Sequence, residues 1–248
     1  MRQYEAVIKV MEDNGGYSSL SNLYEKVPRV QNCVWKTKTP FASIRRIVQD
    51  KRFFFKIKPG LWAMNSHRDN LPEEIILLMQ SDEDTKKSKE CNHTYYQGLL
   101  VELGNMKGYK TFVPHQDKNR KYIDKRLGDL VNLKDVLKFT FEDIIQKTRT
   151  IDVFWFNERR FPSHVFEIEH TTNFKNSPLK FLELQDFNIE MCIVSSLQRE
   201  SEFEAAMQYA GFRPIVNRIK FMNYDQVSRM HTNFHEQMLM NKEGIVIT

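Results

Sequence analysis

Apolar positions in the first 65 residues recur at helical spacing and then change to a strand-like run. In YEAVIKVMED, Val7, Ile8, Val10 and Met11 share one helical face, and the NGG that follows stops the helix. YSSLSNLYEKV predicts a short amphipathic helix opened by a serine, carrying Leu20, Leu23 and Tyr24. KTPFASIRRIVQDKR predicts a third, with Thr39 as N-cap, Pro40 in the first turn, and Phe41, Ile44, Ile47 and Val48 as the buried stripe. RFFFKIKPGLWAM then reads as two strands around a Pro59-Gly60 turn, with Phe53–Phe55 and Trp62 packing the hairpin.

Beyond residue 65 the pattern weakens and then returns. LPEEIILLM can form one short helix, but SDEDTKKSKEC is polar and aperiodic, so residues 66–92 are expected to be a linker. TYYQGLLVELGNMKG carries Tyr96, Leu99, Leu100 and Leu103 on one helical stripe, and YKTFVP follows as a strand. Residues 115–135 are polar and basic and read as a long loop, with Lys118–Arg126 as a candidate phosphate-tracking stretch. LKFTFEDIIQKTRT is helical over part of its length. Two strands, IDVFWFN and HVFEIEH, are joined by ERRFPS. A helix over 178–184, a strand at EMCIVSS, a charged helix from about Gln198 and a strand near RIKFMNY complete the order. Helices alternating with strands in this way predict a mixed α/β core over 93–248, behind a separate small unit at 1–65.

Composition excludes several classes. Of 248 residues, 41% are hydrophobic and 28% charged, which fits a folded chain rather than a disordered one. No apolar run reaches membrane-spanning length and no signal-peptide core opens the chain, so a cytoplasmic protein is expected. Cys33, Cys91 and Cys192 form no CxxC pair, which argues against a disulfide framework or a zinc site. The nine glycines make neither GxGxxG nor a Walker loop, so no nucleotide cofactor is expected. His231 and His235 have the i,i+4 spacing that suits zinc on a helix, but no third ligand or HExxH glutamate accompanies them. A surface helix is the expectation.

Charge sharpens the division. Residues 1–70 hold 13 Lys+Arg against 6 Asp+Glu, whereas the remainder holds 24 against 26. A basic small unit on a near-neutral body suggests that the small unit meets a polyanion. Three helices followed by a hairpin is the plan of a winged helix-turn-helix, and TPFASIRRIVQDKRFFFKIKPGLWAM resembles the winged modules found beside restriction-type nucleases. That resemblance implies contact with double-stranded DNA by Lys36, Lys38, Ser43, Arg45, Arg46 and Gln49 around the third helix, and by Lys56 and Lys58 on the wing.

The chemistry concentrates in HVFEIEH. Glu167 and Glu169 fall on one face of an apolar strand, where two like charges are costly unless a positive group sits between them. Asp152 opens the preceding strand, and the 14 residues between it and Glu167 suffice for one strand, a turn and the return strand. Three carboxylates would then converge, and a hard divalent cation such as Mg²⁺, or Mn²⁺ in its place, relieves their repulsion most simply. His170 alternates to the other face, where packing or a hydrogen bond is expected.

An aspartate, such a gap, then an acidic residue, a spacer and a reactive residue on a strand resembles the PD-(D/E)xK nuclease superfamily over roughly residues 93–225. The matching residues are Asp152, Glu167 and Glu169, with Glu169 where the family carries lysine, as in its ExE variants. The resemblance implies metal-assisted phosphodiester hydrolysis, with Asp152 and Glu167 holding the ion and Glu169 positioning or deprotonating the water. It also places Glu102 in the outer shell and offers Lys180, on the following helix, or Lys175, in the loop, as a lysine from elsewhere. The expected protein is a restriction-type endonuclease, including one that senses a modified base, and double-strand cleavage favours a dimer or transient pairing. The alternatives are a repair or transposition endonuclease, and a DNA-binding regulator with an inert nuclease-like domain.

Overall fold

The computed structural model describes residues 1–80, 85–170 and 173–242. The chain divides into two compact units, Met1–Ser81 together with Ser228–Thr248, and Asp82–Val227.

The first unit is built from α1 (Gln3–Asp13), β1 (Tyr17–Ser19), α2 (Leu20–Lys26), α3 (Phe41–Val48), β2 (Phe54–Lys58), β3 (Leu61–Met64) and α4 (Glu73–Met79). Ser19 caps α2 by accepting from the Asn22 amide at 3.2 Å. Pro40 takes the cap position of α3, one residue later than expected from Thr39, and its carbonyl accepts from Ile44. The sheet order is β1-β3-β2, all antiparallel, so β1 joins the hairpin as a third strand. Ala6, Val7, Leu23, Val27, Ile44 and Val48 fill the core between the helices and the sheet.

The expected linker is largely ordered. Residues Asn65–Asn70 form a 3-10 helix, and α4 buries Ile75, Leu77 and Leu78. Residues 81–84 of that linker lie outside the described residues. The next helix, α5 (Lys86–Met106), starts seven residues before the expected boundary at 93, because Thr85 caps it by accepting from the Ser88 amide at 3.0 Å. At the other end, the second unit stops at Val227 instead of running to 248.

That second unit continues with β4 (Lys110–Phe112), β5 (Lys121–Tyr122), β6 (Lys125–Arg126), the short α6 (Leu127–Leu130) and α7 (Glu142–Thr148). It then runs through β7 (Val153–Phe156), β8 (Pro162–Ile168), α8 (Asn176–Leu182), β9 (Glu190–Ser195), α9 (Glu200–Met207) and β10 (Ile219–Asn223), which leads into α10 (Tyr224–Lys242). A five-stranded mixed sheet runs β10-β9-β8-β7-β4, with β8, β9 and β10 parallel and β7 antiparallel to both β4 and β8. The region 115–135, expected as loop, contains a 3-10 turn at His115–Asp117, the β5–β6 hairpin and α6. Tyr122 and Leu127 bury there, with Val136 just beyond, and order it.

Phe112, Phe154, Phe156, Val165, Met191 and Ile193 form the main core with Phe181 of α8 and Phe203 and Met207 of α9. α5 packs on β4, β7 and β8. Gly104 lets it approach closely, since a Cβ there would stand 2.7 Å from both Thr111 and Trp155. Among the described residues no helix is long and apolar enough to cross a membrane.

Candidate active site

Strand register creates the centre of the site. Val153 pairs with Phe166 in the antiparallel β7–β8 ladder, so Asp152, just ahead of β7, comes beside Glu167. The Asp152 amide donates to Glu167 Oε1 at 3.2 Å, and Asp152 Oδ2 accepts from the Ile168 amide at 2.7 Å. Glu169 lies one residue beyond β8, still held by β9 because its amide donates to the Val194 carbonyl at 2.8 Å. Both glutamates are buried, at 4% and 6% exposure, so their charge must be answered inside the protein.

α8 supplies the answer. Its Ser177 donates to Glu167 Oε2 at 3.3 Å and to Glu169 Oε1. Lys180, three residues on and therefore on the same face, donates to both Glu167 oxygens at 2.9 and 2.8 Å and to the Thr150 carbonyl at 2.9 Å. Lys175 instead lies over the Tyr209 ring, 4.5 Å from its centroid, so the structure brings Lys180 and not Lys175 to the carboxylates.

Across the cleft stand residues that no sequence motif identified. His93 of α5 places Nε2 3.4 Å from Asp152 Oδ1. One turn further on, the buried Gln97 donates through Nε2 to Asp117 Oδ2 at 2.9 Å and to the Asp152 carbonyl at 3.0 Å. Asp117 ends the 3-10 turn and also pairs with Arg120 at 3.1 Å. One donor atom each from His93, Asp117 and Asp152 lie within 4.8 Å of one another. An imidazole and two carboxylates suit a divalent cation in chemistry, so the site fits the metal that the sequence implied. Glu167 and Glu169 are not in that donor group.

Burial and charge set the protonation of these groups. Burial pushes Glu167 well above the usual carboxylate range, helped by neighbouring Asp152 and opposed by Lys180. It raises Glu169 too, against the Ser177 hydrogen bond. For Asp152 burial also pushes upward, but His93, Lys180 and the Ile168 amide outweigh it and hold the group below its ordinary value. Burial lowers Lys180 and His93, yet the facing carboxylates leave both above their ordinary values.

The other expected site residues fall outside this cluster. Glu102 accepts from Tyr122 Oη at 3.0 Å, and it follows His93 by nine residues, about 13 Å along the helix. His170 meets Tyr224 Oη through Nδ1 at 2.5 Å, and the Tyr224 ring stacks on Tyr96. In the first unit, Lys36, Lys38, Ser43, Arg46, Gln49 and Lys56 are exposed and Lys58 is half-buried. Arg45 donates to Tyr24 Oη at 3.1 Å and to Glu236 of α10. His231 is buried at 3% exposure rather than on a surface helix face, with its ring parallel to that of His235.

The cleft, about 430 Å³, is lined by His93, Asp117, Arg120, Asp152, Glu167, Glu169, Ser177 and Lys180, with Lys86, Lys89 and Glu90 from the first turns of α5. A mixed sheet that gathers carboxylates and a lysine at one cleft is accompanied by a matching family model. The model for the Type II restriction enzyme NmeDI C-terminal domain covers residues 70–246, and the chain belongs to that family. Type II restriction enzyme NmeDI of Neisseria meningitidis serogroup C is 26% identical to it over 123 residues, or 48% of this chain. The match spans 35% of that enzyme, about a third of its length. No solved structure matches the chain.

Proposed function

We propose that this protein is a restriction-type DNA endonuclease that hydrolyses phosphodiester bonds with a divalent ion, Mg²⁺ or Mn²⁺ in its place. The observation that carries the reading is the cluster of Asp152, Glu167, Glu169 and Lys180 in the cleft of a chain from a restriction-enzyme family. A bound ion would polarise the scissile phosphate and lower the pKa of a water, with Asp152 as its ligand. Glu167 and Glu169 set the acidic flank. Glu169, whose burial makes it a stronger base than an exposed carboxylate, takes the proton of the attacking water. Lys180 stays charged and offsets negative charge developing on the phosphate.

The amino-terminal unit reads the duplex. Its helix-strand-helix-helix-hairpin order supports the winged-helix reading, as do Lys36, Lys38, Ser43, Arg46, Gln49 and Lys56, which present an exposed basic and polar surface around α3 and the hairpin. One site cuts one strand at a time, so a break in both strands favours a dimer or transient pairing of two chains.

Plasmid and phage DNA of varied modification state, incubated with the protein and Mg²⁺ or EDTA, tests the reading. Metal-dependent cutting that Glu167→Ala abolishes supports it. Binding without cutting on every substrate rejects it in favour of an inert DNA-binding regulator.

A further inference from the structure

We infer that the ion on Asp152 is bound from the α5 side, by the His93 imidazole and the Asp117 carboxylate, so that the centre is a mixed nitrogen–oxygen site. The inference rests on the proposed nuclease reading and specifies its metal shell.

Four observations carry it. First, His93, Asp117 and Asp152 come from three separate elements, yet their donor atoms gather within 4.8 Å of one another. Second, a cation already sits on both oxygens of Glu167, the Lys180 ammonium at 2.9 and 2.8 Å, whereas on the other flank Asp152 Oδ1 faces the His93 imidazole and Asp117, which also meets Gln97 and Arg120, stands beside it. Third, His93 Nε2 faces Asp152 Oδ1 at 3.4 Å, so the imidazole is aimed at the carboxylate oxygen that would hold the ion. Fourth, Gln97 is fully buried with its amide against Asp117 and Asp152, and its Oε1 has no hydrogen-bond partner among the described residues. An orphaned buried acceptor is costly, and a water carried by a cation beside these carboxylates is a donor that would satisfy it. Gln97 also fixes the carboxylate of Asp117 and the backbone of Asp152, as outer-shell amides do around metal centres.

The nitrogen ligand has a consequence for metal choice. Carboxylate and water suit Mg²⁺, whereas imidazole favours Mn²⁺ and the later first-row ions. The protein should therefore bind Mn²⁺ more tightly than Mg²⁺, by about tenfold or more.

Calorimetric titration of the DNA-free protein with Mn²⁺ and Mg²⁺, alongside pulsed EPR of the Mn²⁺ complex, tests this directly. The expected results are nitrogen modulation from imidazole in the wild type, its loss in His93→Ala, and Mn²⁺ affinity reduced about tenfold or more in His93→Ala and in Asp117→Asn. Wild-type Mn²⁺ spectra without nitrogen modulation overturn the inference without reference to any variant. So does unchanged Mn²⁺ affinity in both variants, each checked for native folding by circular dichroism. Metal-dependent DNA cutting with either of those results leaves the nuclease reading standing and removes only this ligand set. A nitrogen-ligated Mn²⁺ on a protein that cuts no DNA keeps the ligand set and removes the nuclease reading.

Discussion

Lys180 on α8 donates to both carboxylate oxygens of Glu167 on β8, at 2.9 and 2.8 Å. Glu169 stands two residues after Glu167, where the PD-(D/E)xK motif that the sequence resembles carries lysine; here the ammonium reaches Glu167 from a helix. Lys180→Met keeps the length of the side chain and removes the charge. DNA cutting is expected to fall by about 10²–10³-fold, the scale for losing one preorganised charged donor. Stability is expected to drop by about 2 kcal/mol, less than the roughly 3–5 of a fully buried pair, because the lysine side chain keeps 32% exposure. Single-turnover cleavage and urea denaturation measure the two effects. Full activity in Lys180→Met would remove this lysine from the chemistry.

The parts of this site that were readable from sequence are those that periodicity encodes. Alternation placed Glu167 and Glu169 on one face of an apolar strand, and the strand–turn–strand length brought Asp152 alongside. Lys180 was reachable as a cation on the next helix. His93, Asp117 and Ser177 were not, because each comes from a different element and their meeting is purely tertiary. The first turns of α5 were mistaken for linker for a related reason. Lys86, Lys89, Glu90 and His93 line the cleft, so that stretch lacks the apolar stripe that marks a helix packed on all its length. Glu102 was assigned to the site on its helix alone, and three-dimensional phase put it beside Tyr122. The return of the chain from Ser228 to the first unit left no local mark, since the apolar run Met238–Met240 marks a buried face without saying which unit it packs on.

Gly104 sets the distance between α5 and the sheet. A methyl group there would meet the Trp155 indole and Thr111 at 2.7 Å, and Trp155 is itself buried. Gly104→Ala gains about 1 kcal/mol of helix propensity, but overpacking costs about 1–3 kcal/mol, so a net loss of roughly 1 kcal/mol is expected. Chemical denaturation measures it. A Gly104→Ala variant more stable than wild type would show that the helix can retreat without cost.

His164 gives the stability of the second unit an acid limit. Its ring lies against Trp155 and Tyr109, at 5.0 and 5.1 Å between centroids. Burial pushes its pKa below the ordinary value, Lys107 and Lys220 push the same way, and Glu190 opposes them. A depressed folded-state pKa means that the unfolded chain takes up the proton first. The stability that neutral His164 supports is therefore present above about pH 6.5, its unfolded value, and is lost as pH falls through the folded value. Raised pKa values at Glu167 and Glu169 act in the opposite sense, contributing stability at low pH that is lost as pH rises, so the comparison must be between variants. Thermal melts between pH 7.5 and 5 should fall more steeply for wild type than for His164→Gln. Parallel curves would show that His164 carries no such linkage.

Arg45 and Arg46 are adjacent on α3 and are expected to separate into two different roles. The Arg45 guanidinium is taken up by Tyr24 Oη and Glu236, and the Tyr24 hydroxyl, pushed up to about 12 chiefly by burial, stays a neutral hydrogen-bonding group at all working pH. Arg45 thus ties α2 and α3 to the returning α10. Arg46 is exposed, beside exposed Ser43 and Gln49. If the α3 surface meets phosphate, Arg46→Ala should weaken DNA binding evenly across sequences and reduce the slope of log affinity against log salt by about 1. It should leave the melting temperature nearly unchanged, as surface substitutions away from packed features do. Arg45→Ala should do the reverse: it should lower the melting temperature and leave the salt slope as it was once the protein is folded. The Arg45 pair is 43% exposed on the arginine side, so the stability loss is modest, about 1 kcal/mol. Fluorescence anisotropy on a labelled duplex at several salt concentrations, with melts of the same samples, separates the two. Equal loss of salt slope in both variants would mean that Arg45 leaves Glu236 for the DNA, and the tie to α10 would then be a feature of the unbound protein alone.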